Sequence, residues 1–186
     1  MMFTEFISIG FRHILEGYDH LLFLAALVIV SKRWKDLLSI VSAFTVAHTT
    51  TIVLSVFGIL SLPSLLTESA IAFSIAYAGF ENLVSKKFDK RWIVAGGFGL
   101  VHGAGFSGHL IAVLKPLMGA GIVWGPIFGF TCGIEMGQLA VIALVYPAVL
   151  LSRRISFERQ FIRATSSAIA LAGLTLFVLR LCDADL

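Results

Sequence analysis

Charge is scarce in this sequence. Only 13% of its 186 residues are Asp, Glu, Lys or Arg, and 58% are hydrophobic. An ordinary soluble domain carries roughly a quarter charged residues, so a water-soluble fold is excluded first. Cysteine is nearly absent too: Cys132 lies inside an apolar run and Cys182 close to the C-terminal end. Two thiols so placed supply neither a disulfide framework nor a thiolate cluster for a soft metal. The basic residues never interleave with aromatics in one patch, which argues against nucleic acid as a partner.

Apolar runs, by contrast, are plentiful. A helix needs about 20 mostly apolar residues to cross the ~30 Å hydrocarbon layer, and runs of that length recur here between short charged loops. Barrel strands would instead alternate apolar and polar residues over about ten positions. The expected fold is therefore all-α: one polytopic transmembrane domain over 1–186, with about six helices near 9–30, 37–60, 66–85, 92–113, 121–151 and 161–181. Pro126 and Pro147 would trim or kink the long fifth segment, and a re-entrant piece near Gly119 to Pro126 fits its length. Glu5, Arg12, Glu16, Asp19 and His20 give the first segment the wrong charge pattern for a cleaved signal peptide, so it is read as a permanent helix.

Most of the Lys and Arg residues gather in three connections: Lys32, Arg33 and Lys35; Lys86, Lys87, Lys90 and Arg91; and Arg153, Arg154, Arg159 and Arg163. By the positive-inside rule these loops face the cytoplasm and both termini face the periplasm or exterior.

The ionisable residues inside the spans carry the functional signal. Asp19 and His20, His48, His102 and Glu135 each fall near the midpoint of a different helix, so four helices place such a group at one depth. A charged side chain there costs about 2.5–3.5 kcal/mol on insertion scales, and convergence on one interior site shares that cost. A single histidine in a span is commonly interhelical glue; the common depth favours one metal site.

Spacing adds detail. His13, Glu16 and His20 fall at i, i+3 and i+7 on one helical stripe with Asp19 beside it, and His102 and His109 share a face in the same way. The reading is an outer approach of His13, Glu16 and His109 leading to a midplane set of Asp19, His20, His48, His102 and Glu135. Thr131, Glu135 and Gln138 form a polar stripe on the fifth helix, and Thr45 and Gln138 are candidates to line or orient the site. Glu68 suits an external recruiting carboxylate or a helix N-terminal acid. Glu81 suits a cytoplasmic exit or plain interface solvation. Gly96, Gly99 and Gly103 would let a neighbouring backbone approach and bring His102 near its partners. The sixth helix, with no acid or histidine between Arg163 and Arg180, reads as scaffold. A weak internal repeat pairs Phe44-x3-His48 with Phe98-x3-His102 and Gly79-x-Glu81 with Gly133-x-Glu135 at a constant offset of 54, which would make 37–85 and 92–151 duplicated hairpins.

Imidazole with carboxylate and no clustered thiolate suits Ni²⁺, Co²⁺ or Zn²⁺ over Cu⁺. More candidate ligands are present than a closed four-ligand structural site needs, which favours a transport path. An intramembrane metal-dependent hydrolase is the alternative, although His-Glu-x-x-His does not occur. A non-transporting metal-binding accessory is a third reading.

The runs Gly10-Phe-Arg-His13-Ile-Leu-Glu-Gly17-Tyr-Asp19-His20-Leu-Leu-Phe, Phe44-Thr-Val-Ala-His48, Phe98-Gly-Leu-Val-His102-Gly-Ala-Gly-Phe106 and Gly133-Ile-Glu135-Met-Gly137-Gln138 resemble the HupE/UreJ family, membrane proteins associated with hydrogenase and urease gene clusters. Ile14 stands where narrower permease members carry Pro, which puts the chain in a divergent branch. The resemblance implies a nickel or cobalt permease of the bacterial inner membrane, with metal-handling residues at His13, Asp19, His20, His48, His102 and Glu135. It further implies metalloenzyme maturation partners. The lipid bilayer is the expected surroundings, and oligomerisation through the sixth helix is compatible with the sequence.

Overall fold

In a computed structural model of the chain, the backbone of residues 2–85, 90–118, 122–153 and 158–182 is described, with side chains for all of these but 2, 106–109, 115, 116 and 118. The described elements are all helices: α1 (Met2–Glu16), α2 (Tyr18–Val30), α3 (Trp34–Val56), α4 (Ser64–Val84), α5 (Arg91–Met118), α6 (Trp124–Ser152) and α7 (Glu158–Cys182). Of these, α3, α6 and α7 are long and apolar enough to cross a membrane, and α1 with α2 makes a fourth if the bent pair is one span. The chain is a helical membrane protein. Helices α4 and α5 are also long, at 21 and 28 residues. Their sequences are diluted by groups turned inward, including Ser69, Ser74 and Asn82 on α4 and Arg91 and His102 on α5, all buried.

The first expected span is not one straight helix. It starts earlier, at Met2, and breaks at Gly17 into α1 and α2, which meet at a 71° bend. Gly17 takes an extended backbone (φ −82°, ψ 96°). A Cβ there would stand 2.7 Å from His20 Nδ1 and 2.8 Å from the His13 carbonyl oxygen, inside van der Waals contact, so only glycine fits. The long α6 runs unbroken from Trp124 with Pro147 inside it. Pro126 sits in its first turn, where a missing N–H costs nothing. Part of the expected re-entrant piece, 119–121, lies outside the described residues. Helix α3 ends in a Schellman turn: Gly58 has φ +70°, Ile59 N–H reaches Leu54 O at 2.8 Å and Gly58 N–H reaches Ser55 O at 3.0 Å.

Three intimate helix pairs build the bundle, and close glycine contacts mark each: α3 with α5, α1 with α6, and α4 with α7. Gly99 faces the Phe44 carbonyl and Gly103 the His48 carbonyl, so α5 lies backbone to backbone on α3 and runs the same way. Gly96, expected to join them, meets Ala43 only at ordinary contact distance. Gly129, Gly133 and Gly137 of α6 face Phe3, Ile7 and Ile14 in turn, which makes α1 parallel to α6. Gly79 faces Ala170 and Gly173 faces Ala76, which makes α4 and α7 antiparallel. With small residues at these seams, dispersion and close packing replace the hydrophobic drive that lipid cannot provide.

Candidate metal centre

The bend at Gly17 decides the site. Because α1 ends at Glu16 and α2 starts at Tyr18, the rings of His13 and His20 fold toward each other across the break, with centroids 4.5 Å apart in an edge contact. Helix α3 adds His48, 5.6 Å from His13 and 5.7 Å from His20. Ligand nitrogens of His13, His20 and His48 all lie within 4.8 Å of one another. Helix α5, seated on α3 by Gly99 and Gly103, brings the ring of His102 to 5.0 Å from that of His20. Phe23, Phe44 and Phe130 wall the group: Phe44 stacks on His48 at 5.6 Å, Phe23 lies 5.2 Å from His102 and Phe130 5.7 Å from His13.

His48 is fully buried, His102 is 1% exposed and His20 8% exposed. His20 Nε2, both ring nitrogens of His48 and His102 Nδ1 are buried without a hydrogen-bond partner. Each such orphan costs about 1–3 kcal/mol, and clustering several in one place accumulates that cost where a cation would repay it. The donor set fits a borderline divalent ion, because neutral imidazole nitrogen is the preferred ligand of Zn²⁺, Ni²⁺ and Co²⁺. At metal–nitrogen bonds of about 2.0–2.1 Å, tetrahedral ligands stand about 3.3 Å apart. The trio could therefore hold one ion with modest side-chain adjustment.

A cleft of 240 Å³ leads to the cluster, lined by His13, His20 and His102 at its inner end and by Asp19, Glu68 and Arg180 farther out. Arg180 of α7 donates to Asp19 Oδ2 at 2.7 Å and to the Glu68 carbonyl at 2.8 Å. Asp19 is thus held by an ion pair and is not part of the converging nitrogen group. On the far side of His20 the wall is apolar. Ile14, Phe23, Leu24, Ile40, Phe44 and Gln138 are among the residues enclosing a void of only 10 Å³, about the room for one water.

Several sequence expectations need correction. His13, a metal-handling residue by the resemblance but an outer-approach residue by helical spacing, belongs to the central cluster, because the bend, not a continuous i, i+7 stripe, brings it to His20. Glu16 is exposed and is not one of the residues lining the cleft. Glu135 accepts a hydrogen bond from Ser42 at 2.8 Å and stands outside the nitrogen group. Its neighbours on the α3–α6 seam are likewise paired, Thr45 donating to Gln138 at 2.7 Å and Thr49 with Thr131 at 3.1 Å. Glu81, 18% exposed at its side chain, pairs with the buried Arg91 at 2.8 Å. The side chain of His109 lies outside the described residues. Glu68 is among the residues lining the cleft. Sequence reasoning missed Arg180, Ser74 and Gly17. A lone cation near the end of an apolar helix was a readable signal for Arg180; nothing in the sequence distinguishes Ser74 from other helical serines.

Three histidines from three helices, with His102 of a fourth beside them and a cleft lined by Asp19, Glu68 and Arg180 next to them, make a cluster that could hold a metal ion in a helical membrane protein. Over residues 1–180 the chain matches the family model described as HupE / UreJ protein. The chain belongs to the HupE/UreJ family, a membrane-associated family linked to metal handling through nickel or cobalt uptake or accessory roles. No curated relative and no solved structure matches it.

Proposed function

We propose that this protein is an inner-membrane permease for a divalent transition metal, Ni²⁺ or Co²⁺ first and Zn²⁺ next, and that His13, His20, His48 and His102 hold the ion in transit. The observation that carries the reading is the convergence of buried imidazole nitrogens within 4.8 Å. A merely structural histidine would spend its nitrogens on hydrogen bonds, as Asn82 spends its amide on the Ala26 carbonyl at 2.8 Å. Six spans with both termini outside are supported by the alternating directions of the helices and by the basic loops at 32–35 and 90–91. On that topology the cleft opens outward. Asp19 and Glu68 attract the cation, and the ion must outcompete Arg180 for Asp19 on its way to the imidazoles. Four neutral ligands leave the double charge uncompensated in a low-dielectric interior, so the freed Asp19 carboxylate becomes its counter-charge.

The tight apolar wall beyond His20 also favours a second reading, a holder that passes metal to a partner enzyme from the same side, since the void behind it admits no hydrated ion. The deciding experiment is metal analysis of purified protein followed by Ni²⁺ and Co²⁺ uptake into proteoliposomes. Near-stoichiometric binding with saturable flux supports the permease. Binding without flux under any gradient moves the reading to the holder, and no retained metal above background overturns the site.

A further inference from the structure

Beyond the trio, the tautomer of His102 is decided by one hydroxyl. Ser74 of α4 is completely buried. Its Oγ donates to the Ile71 carbonyl at 2.6 Å and lies 2.8 Å from His102 Nε2. A serine hydroxyl has one proton. If that proton went to the imidazole, two unprotonated oxygens would face each other at 2.6 Å, and Nδ1 would be left as a buried N–H with nothing to receive it. With the proton on the Ile71 carbonyl, the hydroxyl oxygen must accept, so His102 Nε2 carries the hydrogen. The lone pair then belongs to Nδ1, the nitrogen that is buried with no hydrogen-bond partner.

We infer that Ser74 is a positioning residue that locks His102 as the Nε2–H tautomer and so presents Nδ1 as a fourth ligand beside His13, His20 and His48. The inference rests on the metal-binding reading above. An outer hydrogen bond that fixes the tautomer and ring orientation is the usual support of a ligating histidine. Here the support comes from α4, a helix that contributes none of the four histidines, and it reaches the ring through the peptide carbonyl of its own preceding turn.

The test has two arms. Nitrogen NMR of metal-free protein with ¹⁵N-labelled histidine should show His102 protonated at Nε2 in the wild type and a mixed population in Ser74→Ala. Titration with Co²⁺, followed by its visible absorption, should give a four-nitrogen spectrum in the wild type, with affinity about tenfold weaker in Ser74→Ala, the low end for loss of an outer partner. Ser74→Thr, which keeps the hydroxyl, should restore both readouts. His102 protonated at Nδ1 in the wild type overturns the inference whatever the variants do. So does a Ser74→Ala variant with unchanged Co²⁺ affinity and spectrum. Failure of the wild type to bind Co²⁺ while its His102 shows the Nε2–H form instead overturns the metal reading on which the inference stands.

Discussion

Two buried polar clusters share this bundle, and they are satisfied to opposite degrees. At the C-terminal end of α4 and the N-terminal end of α5, Arg91 is 2% exposed and bonds to Glu81 at 2.8 and 3.1 Å, to the Asn82 side chain and to the Ala26 carbonyl at 3.2 Å. Asn82 donates to the same Ala26 carbonyl. This knot ties the lower half of α2 to α4 and α5, and its charges cancel within it. The histidine cluster, in which His20, His48 and His102 are buried, has orphan nitrogens, no carboxylate within its nitrogen group among the described residues, and a cleft beside it. A polar group buried for structure is paired in place, so the contrast separates a fastening from a binding site within one molecule.

The sharpest way to break this comparison is to damage the fastening. Arg91→Met should destabilise the protein by about 3–5 kcal/mol, since it strands the Glu81 carboxylate inside the bundle, while metal bound per folded molecule stays unchanged; thermal melting in detergent and metal analysis of the folded fraction check both halves. Damage to the site should do the reverse. His48→Ala should weaken Ni²⁺ or Co²⁺ binding by about 100-fold or more, beyond the roughly 10–100-fold loss for an outer partner, with the melting temperature unchanged or raised because two orphan nitrogens are gone. Acidification should release the ion from the wild type because each imidazole must be neutral to bind, and titration calorimetry across pH checks that sign.

Smaller effects sharpen the picture. Gly17→Ala puts a Cβ against His20 Nδ1 and the His13 carbonyl. It should cost about tenfold in metal affinity, the low end of the loss for a perturbed support of a ligand, and leave the Arg91 knot intact, as judged by the melting temperature. Arg180→Gln frees Asp19 and removes a positive charge from the mouth of the cleft. It should raise the association rate for the cation by roughly 2–5-fold at low ionic strength, with the gain fading above about 0.1 M salt as screening sets in; stopped-flow binding at two salt concentrations measures it.

The helices were largely legible in the chain because an apolar run of membrane length reports its own burial. The internal break at Gly17 was not, since what calls for glycine there is the close approach of the His20 ring and the His13 carbonyl, which exists only after the bend forms. His20, His48 and His102 were read at a common level by counting about 1.5 Å per residue along each helix, and the ring of His20 lies 5.7 Å from that of His48 and 5.0 Å from that of His102. Glu135 shares that level by the same count, yet it faces Ser42 on the α3–α6 seam. Depth says how far along a helix a residue sits, and it leaves open which neighbour the residue meets. Arg180 and Asp19, 161 positions apart, pair across the cleft mouth for the same reason.

By itself, then, the sequence determined that the protein is a helical membrane protein, that histidines recur inside its apolar segments, and that imidazole dominates its candidate ligand chemistry. These follow from transfer energies and helical rise, which act on each segment alone. The tertiary structure decided which of those residues meet. The 71° bend joins His13 to His20, the Gly99 and Gly103 seam sets α5 on α3, and α4 brings Ser74 to His102. Those meetings depend on the rotation and tilt of each helix about its own axis, and only the close packing of one backbone against another selects them.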